Sequence, residues 1–383
     1  MLSQDLIDWL SLVLIPEIGP RRGKKLLERF RTPQAILEGS LYDIAEVENI
    51  GREVAKKIVE GRKKIDLGRH IKLIEKNNII LIPLDSEFYP VSLKFIFDPP
   101  LVLFIKGEIL PQDYFSIAIV GTRLASFYGR TMSEKLSREL TEKGFTIVSG
   151  GARGIDTFSH QAALRAKGRT IAVLGCGLDI IYPPENKNLF EEIAKRGAMI
   201  SEFPLSTRPD RQNFPIRNRI ISGLSLGVVV IEAPQKSGAL ITVTHAIDQG
   251  REVFSVPGKA DSFASRGTNQ LLREGAKLVE NADDIIEELE PILKSKIREL
   301  KANQPEPAQE KQIPLIKPEL TEEEAKLYNL LSSGPLDLDD IIVKSQLSVS
   351  AASAMLTTLE LKKIVKQLPG KIFAKETTDK EVD

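Results

Sequence analysis

The sequence predicts an α/β fold built on a doubly wound parallel sheet, and three observations lead there. Short apolar runs recur at Ile117–Val120, Thr146–Ser149, Thr170–Leu174, Ala198–Ser201, Gly227–Glu232, Glu252–Ser255 and Lys277–Val279. Most are continuously apolar, the pattern of strands covered on both faces. The segments between them, among them Arg130–Lys143, Thr157–Lys167, Lys187–Arg196 and Thr242–Gln249, are long enough for the crossover helices that parallel strands require. Third, glycine- or arginine-rich segments follow three strand ends: VGTRLASFYG (Val120 to Gly129), SGGARGID (Ser149 to Asp156) and NFPIRNRIISG (Asn213 to Gly223). In such a sheet ligands bind at the C-terminal edge of the strands.

The totals set bounds. A chain of 383 residues with a 42% hydrophobic fraction holds two or three domains and a sizeable core. Lys+Arg and Asp+Glu stand at 53 each, so any polyanion contact has to come from a local patch. The single cysteine, Cys176, excludes an internal disulfide and reads as a small buried residue after a strand. His70, His160 and His245 lack metal-ligand spacing, so no metal and no cofactor are expected. The opening MLSQDLIDWL lacks a basic start and a cleavage site, and no apolar run approaches the ~20 residues of a membrane span. The expected location is the cytoplasm.

Residues 1–65 carry a repeat. IPEIGPRRGKKLLE (Ile15 to Glu28) aligns with VENIGREVAKKIVE (Val47 to Glu60), matching Ile18 to Ile50, Gly19 to Gly51 and Lys24-Lys25 to Lys56-Lys57. The pattern, a glycine turn before an amphipathic helix, resembles the helix-hairpin-helix module. Such a turn either offers amides to a DNA phosphate or only reverses the chain.

Residues 66–290 form the core domain. Its β-prone, proline-punctuated lead-in (Asp85 to Glu108) suggests one extra strand before the sheet. The strand–helix alternation is Rossmann-like, yet the dinucleotide fingerprint and the P-loop pattern are both missing. Phosphates are instead matched by backbone donors and guanidinium forks. Arg123 follows a strand end and reads as a phosphate ligand, with a structural ion pair as the alternative. Ser149, Gly150, Gly151 and Arg153 read as an anion nest or, more simply, a compact turn. Asp156 is expected to brace that turn. Arg211, Arg217 and Arg219 crowd Phe214, the pairing that single strands use. Phe214 is either a base platform or a staple into the core. Asn218 orients the loop or touches ligand, and Ser237 and Gly238 cap the next helix and donate to an anion. The turn from Asp179 to Asn186 reads as architecture.

Residues 291–318 read as a linker, rich in Lys, Gln, Pro and Glu from Lys296 to Lys317. In 319–376 a helix over Leu320–Leu331, a second in LDLDDIIVKS, a third over Val349–Leu361 and a hairpin across Pro369-Gly370 make a winged-helix domain. The third helix contains neither Arg nor Lys, which favours a protein-contact or auxiliary role over major-groove reading.

Together VGTRLASFYG, SGGARGID, the turn from Gly177 to Asn186, FPIRNRIISGLS, SGALITVTHA, VFSVPG and SRGTNQLLREGA resemble the DNA-processing protein A family (DprA, also called Smf), in order from Val120 to Ala276. The resemblance implies an extended Rossmann domain that binds single-stranded DNA, protects it during natural transformation and loads the RecA recombinase, as a homodimer. It maps the family's pocket onto Arg123, Gly150, Gly151, the Arg211–Phe214 stretch and Arg217-Asn218-Arg219. Two rivals are weaker. A nucleotide hydrolase of related fold needs a glutamate that SGALITVTHA lacks. A transcription regulator needs a basic reading helix. The chain thus reads as a binding protein and not an enzyme.

Overall fold

The computed structural model describes residues 2–303, 321–331, 334–362, 364–368 and 372–375. The chain divides into two compact units, 1–293 and 294–383.

The first unit opens with six helices: α1 (Gln4–Leu14), α2 (Pro20–Phe30), α3 (Pro33–Glu38), α4 (Leu41–Ala45), α5 (Arg52–Arg62) and α6 (Leu67–Lys76). The repeat is real in the backbone. Ile18 N–H donates to Ile15 O at 3.0 Å, and Ile50 N–H to Val47 O at 2.9 Å. Gly19 and Gly51 then stand at the N-caps of α2 and α5 without a side-chain cap. The lysines at matched positions tie the two halves together, Lys25 to Glu48 at 3.0 Å and Lys57 to Glu17 at 3.7 Å.

These helices do not keep a core of their own. Trp9, Leu26 and Ile58 belong to one continuous apolar cluster with Leu81, Val102, Phe104 and Met199 of the sheet. A Cβ built on Gly23 of α2 would stand 2.2 Å from Leu101 Cδ1, so the close seat requires glycine there.

The sheet has nine strands: β1 (Ile80–Pro83), β2 (Val102–Gly107), β3 (Ser116–Val120), β4 (Thr146–Ser149), β5 (Thr170–Val173), β6 (Ala198–Ser201), β7 (Gly227–Val230), β8 (Glu252–Ser255) and β9 (Lys277–Leu278). Their order is β1-β2-β6-β5-β4-β3-β7-β8-β9. From β6 to β9 every pairing is parallel, for example Ile117 opposite Ile147 and Ala118 opposite Val228. The lead-in from Asp85 to Glu108 holds one strand, β2, as expected, and β1 precedes it outside that stretch. They add an antiparallel edge, with Phe104 opposite Ser201, and α7 (Val91–Lys94) lies between them. The short apolar run Ile79–Leu84 was the available signal for β1.

Crossovers α8 (Phe127–Glu142), α9 (Ile155–Arg165), α10 (Lys187–Arg196), α11 (Asn213–Leu224), α12 (Ala239–Asp248) and α13 (Arg266–Arg273) cover the sheet, and α14 (Ala282–Asn303) follows β9. Helix α14 corrects the linker reading over its first residues. Lys294 to Asn303 has strong helix formers and no glycine or proline, and proline returns only at Pro305. The rest of the expected linker, 304–318, lies outside the described residues.

In the second unit α15 (Glu322–Leu330), α16 (Leu338–Ser345) and α17 (Val349–Leu361) pack with a small sheet of order β10-β12-β11, formed by Leu336–Asp337, Val365–Leu368 and Ile372–Lys375. Leu327, Ile341, Leu356, Leu359 and Val365 make its core. This is a winged helix, with the Pro369-Gly370 turn outside the described residues.

Two outcomes test this packing. Gly23→Val should cost about 1–3 kcal/mol by overpacking. Because the core is shared, the helices and the sheet of residues 1–293 should lose amide-exchange protection together in urea, in one transition. His160 in α9 is fully buried against Thr170 Oγ1 at 2.7 Å, and burial lowers its pKa to about 3. Below the usual value of about 6.5 the unfolded chain takes up a proton that the folded chain refuses. Stability should therefore be full above pH 6.5 and fall as the pH drops toward 3, and His160→Gln should flatten that slope in denaturation midpoints.

Candidate nucleic-acid interface

The strand order reverses between β3 and β7, and there the C-terminal edge of the sheet opens into a cleft of about 900 Å³. This is the topological switch point, where neighbouring loops diverge and leave a crevice. Its charged lining is Arg123, Arg211, Arg217 and Lys236 against one acid, Asp156. A chain with no net charge thus gathers cations at one edge.

Four helices begin near this edge, and two of their N-termini are already filled. Glu232, just past β7, is buried and takes Ser126 N–H at 2.9 Å and Ser126 Oγ–H at 2.6 Å at the start of α8. Its carbonyl also accepts from Thr122 N–H at 2.8 Å, which pins the Arg123 loop. At α9, Asp156 accepts from Ala152 N–H at 3.2 Å, the bracing role expected of it. Burial raises the Asp156 pKa, with Arg217 opposing. Gly154 has φ +75°, and a Cβ there would stand 2.4 Å from Thr122 O, so the two glycine loops lock together. The N-termini of α11 and α12 are held more lightly: Asp210, exposed, accepts from Gln212 N–H at 2.8 Å through Oδ1 and from Asn213 N–H at 3.1 Å through its carbonyl, and both helices start in the cleft lining, at Phe214 and Gly238. Their positive ends face the cleft.

The floor is Phe214. Its half-buried ring has Arg123 at 5.3 Å and Arg217 at 5.8 Å from the centroid, and Tyr182 tilted at 5.6 Å. Arg217 is 4% exposed and donates to Gly150 O at 2.7 Å and to Val173 O. Burial lowers its pKa to about 10, so it remains a cation at neutral pH. Asn218 accepts from Arg217 Nε–H at 3.2 Å and donates to Gly238 O at 3.2 Å, which links α11 to the α12 turn. Ser237 Oγ accepts from Ala239 N–H at 3.3 Å. Arg123 and Arg211 are exposed at the mouth.

The cleft therefore gathers Arg123, Arg211, Phe214, Arg217, Asn218, Ser237 and Gly238. Other expected ligands sit elsewhere. Ser149 is fully buried and its hydroxyl donates to Ile119 O at 2.6 Å. Gly150 and Gly151 are buried; a Cβ on the first would meet Arg217 and on the second Phe190, so packing demands them. Arg153 is paired with Glu185 on the outer side of the loop, beside a small recess behind Phe214. Arg219 is turned away from the cleft into a buried fork with Glu202, 2.6 and 2.7 Å, and Asp98, 3.2 Å. Alternate residues of α11 point to opposite sides, which the crowding of arginines in sequence could not reveal. Glu232 was read only as a strand end. An acid closing the run GVVVIE was the available signal.

Residues 80–290 match the model of the DNA recombination-mediator protein A family. The chain belongs to that family. Residues 307–371 match the DprA winged-helix domain, and 10–64 a SAM-like helix-hairpin-helix tandem. The chain is 35% identical to Protein Smf of Synechocystis sp., over 97% of this chain and 98% of that protein. The crystal structure of DNA processing protein A from Streptococcus pneumoniae is 35% identical and superposes with TM-score 0.63, covering 75% of this chain and 98% of that one. A Helicobacter pylori DNA processing protein A structure, described for its unique single-stranded DNA binding mode, is 32% identical with TM-score 0.50, covering 56% and 97%.

Because its carboxylate partners would be stranded, Arg219→Ala should destabilise the protein by about 3–5 kcal/mol. Arg123→Ala, at the exposed mouth, should leave the unfolding free energy measured in urea within about 0.5 kcal/mol of the parent.

Proposed function

We propose that the cleft binds single-stranded DNA along its sugar–phosphate backbone. The observation that carries this is the arrangement around Phe214: an aromatic floor, two guanidinium groups within 6 Å of it, and the positive ends of α11 and α12 beside it. Cations and amide dipoles meet phosphates, and an aromatic face accepts any base. The binding mode described for the Helicobacter pylori relative supports the same reading.

The protein's part in DNA processing follows from its family. Protection of incoming DNA in natural transformation, RecA loading, homodimer formation and a cytoplasmic location rest on the family resemblance and not on the cleft. Binding without bond breaking is supported by the unused nucleophiles. Burial pushes the Cys176 thiol up to about 11, so it is not a thiolate at neutral pH, and His160 is a buried neutral ring. Among the described residues no helix is long and apolar enough to cross a membrane.

Salt titration tests the reading. Affinity for a fluorescent oligonucleotide should fall linearly on a log–log plot, with a slope of about −0.7 per phosphate contacted. Arg123→Ala should weaken all sequences alike and make the slope shallower by about one contact. Equal affinity and slope in parent and variant would remove the cleft from the binding path.

A further inference from the structure

We propose that the cleft carries a second base platform, Phe263, with Arg266 beside it as a phosphate ligand. This rests on the single-strand reading above and extends it: a strand leaving Phe214 would stack a further base on Phe263.

Phe263 lines the same cleft as Phe214 and is 66% exposed. An aromatic ring left in water at a cleft wall gains by stacking on a base, and every base has a face to offer. The turn that carries the ring is not loosely held. Phe263–Ser265 forms a 3₁₀ turn that runs directly into α13. Its last residue, Ser265, is buried and accepts from Thr268 Oγ–H at 3.0 Å. Gly267 N–H donates to Ala233 O at 2.8 Å, and Ser255 Oγ–H donates to Thr268 O at 3.0 Å, so the turn is tied to the ends of β7 and β8. The anchored backbone presents the ring outward.

The chemistry around it repeats that of the floor. The Arg266 guanidinium lies 5.7 Å from the Phe263 centroid, as Arg123 lies 5.3 Å from Phe214. Arg266 is exposed, and Lys236 on the adjoining loop lines the cleft as well. An apolar protein partner would gain nothing from these cations, whereas a nucleotide uses ring and charge together.

The experiment is fluorescence anisotropy on the full chain with labelled oligothymidylates from about four to about twelve nucleotides, within the span of known site sizes of ~4–16. Phe263→Ala should weaken the longer strands about tenfold and leave the shortest unchanged, as loss of one stacked base predicts. It should leave the salt slope as it is. Arg266→Gln should make the slope shallower by about 0.7. Phe263→Trp should keep the affinity, and its emission should be quenched as the strand binds. If the parent binds and Phe263→Ala matches it at every length, or loses equally at every length, the platform is refuted while the cleft stands. A changed sedimentation coefficient with unchanged affinity would assign the ring to a contact between copies and also refute it. If the parent binds no oligonucleotide, the single-strand reading fails and the platform with it.

Discussion

A guanidinium buried between two strand ends sets the geometry of the cleft. Arg217 reaches back from α11 to the carbonyls of Gly150 and Val173, at the ends of β4 and β5, and holds Asn218 through its Nε–H. An unpaired buried charge would be costly, and here backbone carbonyls and the nearby Asp156 carboxylate compensate it. Gly150 is bare because a Cβ would stand 2.7 Å from both Arg217 Nη2 and Asp156 Oδ2. One side chain thereby fixes the height of α11 above the sheet, the position of Phe214 at its first turn, and the link through Asn218 to the α12 turn.

The second constraint is how the protein fills the helix ends at the sheet edge from within. In a dinucleotide-binding fold the first strand–helix turn receives the phosphate. Here that turn is filled from within by Glu232, and the next is braced by Asp156. Two internal carboxylates stand where two ligand anions could have been. The ends of α11 and α12 are closed by lighter contacts, the exposed Asp210 at the first and Ser237 Oγ at the second. A small nucleotide has no pocket at the usual place, while an extended chain of phosphates can lie along the wider opening.

Much of this was legible in the sequence, for reasons of period and composition. Seven parallel strands appear because burial on both faces requires unbroken apolar runs, and Val349–Leu361 was located to the residue by its flanking turns. The cleft itself was legible because glycines and arginines cluster after strand ends. What sequence could not show was direction. Arg217 and Arg219 are two residues apart on α11; one lines the cleft and the other pairs with Glu202, since a helix turns about 200° over two residues. Ser149 lay at the right edge but faces into the sheet. Strand β1 was missed because its run is four residues long and ends on Pro83, which reads poorly as a strand, and α14 overran the linker because its charged residues are also helix formers.

The first six helices lie on apolar residues of the sheet, and this has a bearing on how the chain can be divided. Trp9, Leu26 and Ile58 share one cluster with Leu81, Val102 and Phe104 of β1 and β2. Removing the helices would strip the lid from a greasy floor, and the remaining piece would seek a substitute cover in its neighbours. Any shorter polypeptide of this kind that stays monodisperse must therefore carry polar replacements on that floor, or a different roof.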